Sequence, residues 1–198
     1  MALLIERKKE EKRRRLLDSA YSCFLSAGIS STSIAEICTQ AGIAKGTFYL
    51  YFKDKEDIAK ALNLRLSYGL LRESYDYMSA HRKKDFIENV ILMADYIIER
   101  FTKDTDLLKL LRRDFTWPVA KQELIESKDA LIMDIRTQMS TYAKKKNRTM
   151  NYVLMQIFAL TGMIATVAYS AIIDSYPCSI SLIKPVLFDT IRRTLSEE

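Results

Sequence analysis

Apolar residues recur at spacings of three and four through most of this chain, which is the period of an amphipathic helix. Leu16, Leu17, Ala20, Tyr21, Phe24 and Leu25 make the first stripe, and Gly28 closes it. Ile34, Ile37 and Cys38 make a second, short one. Ser33 followed three residues on by Glu36 predicts a capping box at its start, because hydroxyl and carboxylate can each take an orphan backbone N–H. Gly42 supplies the backbone freedom for a sharp turn, and Ile43 fills the apolar space beneath it. A third helix follows from Lys45 to about Tyr51, with Phe48 and Phe52 turned inward. Asp54, with Asp57 three residues on, is the predicted N-cap of a longer helix carrying Ile58, Ala61, Leu62 and Leu66. It runs to about Leu71, with some helix reaching Met78.

The remaining stripes predict a body made of helices. Residues 86–101 place Phe86, Val90, Met93, Ala94, Ile97 and Phe101 on one side. A short helix over 106–114 stops near Trp117-Pro118, since proline removes a donor and restricts the residue before it. Residues 119–144 carry Leu124, Leu131, Ile135, Met139 and Tyr142 at helical spacing. Residues 149–173 hold no charged side chain, a length that could span a bilayer. Asn151, Gln156, Ala159, Gly162, Thr166 and Ser170 nevertheless share one arc of that helix, as packing against other helices requires and lipid does not. Tyr176-Pro177 breaks the run, and 180–195 forms a last stripe of Ile183, Val186, Leu187, Ile191 and Leu195. The expected fold class is all-α: an N-terminal three-helix helix-turn-helix head and a C-terminal helical body.

Composition narrows the classes of function. The 198 residues are 48% hydrophobic and 28% charged, with five Gly and three Pro, which describes a folded globular chain. A net charge of +6 suits a polyanionic partner. It is spread evenly, since residues 1–60 hold 11 Lys/Arg and 8 Asp/Glu, so local placement must carry any nucleic-acid argument. Residues 6–15, ERKKEEKRRR, are the densest basic run; beside a helix-turn-helix they read as an arm or first turn that meets phosphate. Cys23, Cys38 and Cys178 show no metal-ligand spacing, and their odd number does not suggest a disulfide framework. His81, the only histidine, sits among Arg82, Lys83 and Lys84 and reads as an exposed bystander. No nucleophile motif, paired acid/base pattern or cofactor-binding loop is present in the sequence, so an enzyme, a metal and a cofactor are not expected.

The third helix carries the chemistry. Its outward face shows Lys45, Gly46, Thr47, Tyr49 and Tyr51: a cation, a close backbone approach, a hydroxyl and two phenols. Such groups reach phosphate oxygens and base edges in a major groove. The run AGIAKGTFYLYFKDKEDI resembles the signature of the TetR family of transcriptional regulators, and the resemblance extends over about 16–62. Cys38, Ala44 and Tyr51 stand where Ala, Ser or Thr, and His are commonest in that family. Ala44 therefore leaves the third helix without a side-chain cap.

The resemblance implies double-stranded DNA with a palindromic operator as partner. It puts Thr32, Ser33, Ala44, Lys45, Gly46, Thr47, Tyr49, Leu50, Tyr51 and Lys55 at the contact. It implies a head over 1–54, a ligand-binding and dimerisation body over 55–198, and a homodimer through helices at about 150–173 and 181–195. A repressor follows from the same likeness, while three cysteines without a disulfide pattern suit the cytoplasm and the methionine-rich body suits a small hydrophobic effector. Met93, Tyr96, Phe101, Phe115, Trp117, Met133, Met155 and Phe158 are the aromatic and methionine side chains that could line an effector cavity, and methionine linings adapt to bulky apolar ligands. Two other readings compete: a membrane-anchored interaction protein held by 149–173, and a DNA-binding scaffold without an effector.

Overall fold

Glutamate, lysine and arginine are strong helix formers, and Glu10 and Arg14 stand one turn apart. The charged run therefore needs no apolar period to be helical. In the computed structural model, which describes residues 2–111 and 128–196, helix α1 spans Ala2–Ser31 and includes all of 6–15. The run is the exposed first part of a helix rather than a separate arm. At Gly28 the backbone leaves the helical region, at φ 78° and ψ 159°, where the stripe was expected to close.

All regular elements among the described residues are helices: α2 Ile34–Ala41, α3 Lys45–Phe48, α4 Lys55–Ala80, α5 Phe86–Lys103, α6 Thr105–Leu111, α7 Ala130–Lys145, α8 Met150–Ile173 and α9 Ile180–Ser196. Helix α3 is shorter than its pattern suggests. After Phe48 the chain continues as turns, with Leu50 N–H donating to Thr47 O and Tyr51 N–H to Phe48 O. The upstream part of the predicted 119–144 helix, and residues 112–114 of the one before it, lie outside the described residues.

The chain divides into two compact units, Met1–Leu66 and Ser67–Glu198, and the division falls inside α4. In the first unit α1 lies along α2, and α2 packs on α3. Leu16, Leu17, Ile37, Phe48 and Ile58 are at most 1% exposed and form its centre. Burying one such Phe is worth ~1.5–3 kcal/mol, a large share for so small a unit.

In the second unit α8 is the central element, touching α5, α6, α7 and α9. Its buried side is Val153, Ile157, Leu160, Ile164, Ala168 and Ala171. Leu187, Ile191 and Leu195 of α9 and Ile87, Ile91 and Ile98 of α5 close the same core. Polar ties set the register: the Tyr142 hydroxyl donates to Leu195 O, and Gln156 Nε2 donates to Thr194 O at 2.6 Å. Arg192 pairs with Glu88 at 2.9 Å, which joins α9 to α5.

Candidate nucleic-acid interface and body cavity

The head presents its surface because both ends of α2 are closed. Glu36 N–H donates to Ser33 Oγ at 3.2 Å while Ser33 N–H donates to Glu36 Oε2 at 2.7 Å, the reciprocal capping box. Those bonds hold the Glu36 carboxyl below its ordinary range. At the other end Gly42 takes φ 61° and ψ 40°, and its N–H returns to Thr39 O. The Arg15 guanidinium then donates to Ala41 O at 2.5 Å and Gly42 O at 3.4 Å, a cation where the helix dipole favours one.

This frame aims α3. Phe48 is fully buried, and its ring meets Phe52 at 5.7 Å and Tyr49 edge-on at 5.4 Å. Anchoring Phe48 inward leaves Ala44, Lys45, Gly46, Tyr49 and Leu50 exposed, with Thr47 and Tyr51 half-buried. Tyr49 and Leu50 are 52% and 76% exposed, unusual for side chains of that size. Ala44 does stand at the N-cap without a side-chain bond.

Three of the expected contact residues are engaged by the protein itself. Thr32 is 3% exposed, and its hydroxyl donates inward to Gly28 O at 2.8 Å and Cys23 O at 3.2 Å, so it supports the turn instead of facing outward. Lys55 Nζ donates to Ser30 O at 2.8 Å and Thr32 O at 2.9 Å, tying the start of α4 to the end of α1. Ser33 stays exposed but is the cap of α2. Arg15 was not singled out from the sequence. Its partners lie 26 and 27 residues away, which periodicity cannot show.

The second unit contains a cavity of about 110 Å³ between α4, α5, α7 and α8. Leu70, Leu71 and Met78 line it from α4, and Val90, Met93 and Ile97 from α5. Ile135, Gln138 and Met139 face it from α7, and Ile157, Leu160, Thr161, Ile164 and Ala165 from α8. Among the described residues that line it none carries a charge.

Of the eight side chains expected to line a cavity, Met93 is on this wall. Phe115 and Trp117 lie outside the described residues. Met155 and Phe158 are each 62% exposed: two residues before Ile157 is a turn of about 200°, which points Met155 away from the cavity. Met133, 43% exposed, is turned from Ile135 in the same way. Tyr96 lies against the Tyr77 ring at 5.2 Å and reaches Glu73, on the outside of α4. Phe101 is buried one turn beyond Ile97 and does not reach the cavity.

Polar clamps flank the cavity. Asp129, the N-cap of α7, accepts from the Tyr68 hydroxyl at 2.7 Å and from Arg72 at 2.9 Å. Asp134 accepts from the Tyr75 hydroxyl, from Arg82 at 2.7 Å and from Gln138 Nε2 at 2.6 Å. Burial pushes the Asp134 carboxyl up, but those three donors outweigh it and leave the group below its ordinary range.

The body also exposes an apolar face. Tyr152, Met155 and Phe158 on α8 and Leu182 and Val186 on α9 are between 48% and 69% exposed. Ala159, Gly162 and Thr166 continue the face along α8.

Comparison with known proteins places residues 16–62 in the family described as "Bacterial regulatory proteins, tetR family". The HTH-type transcriptional regulator AcrR of Shigella flexneri is 41% identical over 58 residues, which is 29% of this chain and 27% of that protein. The chain thus spans about a quarter of that relative. A TetR family transcription regulator from Marinobacter aquaeolei VT8 matches over 96% of this chain and 97% of its own, with TM-score 0.62 and 16% identity. The transcriptional regulator FadR of Bacillus subtilis, solved in complex with stearoyl-CoA, matches over 90% and 96%, with TM-score 0.59 and 18% identity. At those identities the structural likeness concerns the fold.

Proposed function

We propose that the chain is a regulator of the TetR family, whose model matches residues 16–62, and that it acts as a homodimeric repressor released from a palindromic operator by a small apolar effector. The observation that carries the reading is the exposed run Lys45, Gly46, Tyr49 and Leu50 on a turn fixed from behind by Phe48. Lys45 supplies phosphate or guanine contact, and Tyr49 stacks or donates along the groove. The stearoyl-CoA held by the Bacillus subtilis relative, a long apolar chain on a charged carrier, supports a small-molecule response. A cavity whose lining is almost wholly apolar supports it too. The apolar face of α8 and α9 supports the dimer, which sets two heads about one DNA turn, ~34–36 Å, apart.

The test uses an operator selected from random duplexes by the wild-type protein. Lys45→Ala and Tyr49→Ala should bind it at least about tenfold more weakly by fluorescence anisotropy, with the dimer intact. If Lys45 meets a phosphate, the salt slope should shrink by about one unit. Wild-type affinity in both variants would remove α3 as the reader.

The membrane-anchored alternative has one observation in its favour: Met150–Ile173 is long enough to span a bilayer and reaches a mean hydropathy of 1.7. Its side from Val153 to Ala171 is built into the core of the body, which supports the reading of a packed helix. Recovery of the full chain without detergent is the expected result.

A further inference from the structure

The polar atoms of the body cavity are few, and most are already committed. Asn89 is used by the protein: Lys83 N–H donates to its Oδ1 at 2.7 Å, and its Nδ2 donates to Lys83 O at 3.0 Å. The Thr161 hydroxyl gives its proton to Ile157 O at 2.8 Å, which leaves it only as a secondary acceptor on the same wall. Gln138 differs. Its Nε2 donates to Asp134 Oδ2 at 2.6 Å, and the amide cannot be turned the other way, because a carboxylate accepts and does not donate. The amide is thereby fixed, with its carbonyl oxygen unpaired among the described residues while the side chain lines the cavity. What the wall offers a guest at Gln138 is an acceptor on a rigid mount.

We infer that the cavity selects a small, uncharged, largely apolar molecule bearing one hydrogen-bond donor, a phenol or an alcohol, with the Gln138 carbonyl oxygen accepting that donor. This rests on the proposed role of the cavity as the effector site and names the class of ligand it takes. Charge is disfavoured because none of the described lining residues is cationic, so a carboxylate or phosphate inside would be desolvated without a partner. Size points the same way. The 110 Å³ is of the same order as the ~150 Å³ cavity known to hold benzene, so one ring is the scale of guest. Leu70, Met93 and Leu160 supply the apolar contact for that ring.

The probes are 4-methylphenol, its methyl ether, toluene and 4-methylbenzoate, titrated into the full-length protein by calorimetry. One neutral hydrogen bond should make 4-methylphenol bind roughly fivefold to tenfold more tightly than toluene or the ether. Benzoate should be the weakest. Gln138→Met keeps the volume and removes the acceptor, and it should erase the preference while toluene binds as before. Because wild-type selectivity is read on its own, the result does not depend on the variant folding. Equal binding of phenol and ether, tightest binding of benzoate, or a preference surviving in Gln138→Met would overturn the inference. Binding by none of the four would overturn it together with the effector role of the cavity. The expected selectivity without release of operator DNA would uphold the ligand class and sink the regulatory reading alone.

Discussion

Gly42 holds two constraints at one carbon. Its φ of 61° lies in the left-handed region, and an added Cβ would meet Arg15 Nη2 at 2.9 Å. Gly42→Ala must therefore accept strain of ~1–2 kcal/mol and also displace the guanidinium that closes α2. Urea unfolding should report a loss of about 2–3 kcal/mol. Arg15→Ala should lose less, because Gly42 keeps its own backbone bond to Thr39. Neither effect is visible to a reader of the pattern alone. Thr32, Lys55 and Arg15 have the right chemistry for phosphate, and the sequence shows their types without their partners. Apart from Gly28, four residues from Thr32, those partners stand at separations of 9 to 27 residues, where only the folded chain decides who meets whom. The outward placement of Lys45 and Tyr49 and the capping box can be read from the pattern because each is set within one turn of the chain.

Among the elements, α8 was legible as a packed helix and its two sides were not told apart. The wheel separates a large-residue side from a small and polar one, but it does not say which neighbour covers which. Met155 and Phe158 were accordingly expected at a cavity, and the structure puts them on the exposed face. That face makes a direct prediction. Phe158→Asp should yield a folded monomer by light scattering at micromolar concentration, where the native chain should be a dimer burying more than the ~1,600 Å² of a standard interface. Thr166→Asp should act in the same direction, and a native monomer would contradict the proposed assembly.

The clamps between α4 and α7 predict a pH effect at the same scale. The Asp134 carboxyl lies below its ordinary value when folded, through Tyr75, Arg82 and Gln138 acting against burial. A depressed folded pKa gives stability that is present above the unfolded value of about 3.9 and is lost as pH falls through the folded one. Thermal melting between pH 6 and pH 2 should therefore fall less steeply in Asp134→Asn than in the native protein. Equal slopes would show that the clamp adds nothing to the balance.

For the molecule as a whole, the proposed mechanism puts effector and operator on one equilibrium, so each should weaken the other by the same factor. A variant that fills the cavity separates the two. Ala165→Leu places bulk among Leu160, Thr161 and Ile164 without touching the head. It should bind operator as the native protein does, lose affinity for cavity ligands by about tenfold or more, and stay on DNA at ligand concentrations that release the native dimer. Operator binding lost together with ligand binding would mean that the body packing itself was disturbed.

The bare face of α8 and α9 also sets a dose law. If those side chains are covered only in pairs, the folded state of each copy depends on how many copies the cell contains. Melting temperature should then rise with protein concentration, and the number of dimers able to bind a palindrome should grow with the square of the amount made while copies are scarce. Small changes in expression would move the regulated gene more than proportionally, so halving the number of chains would open the operator by more than half.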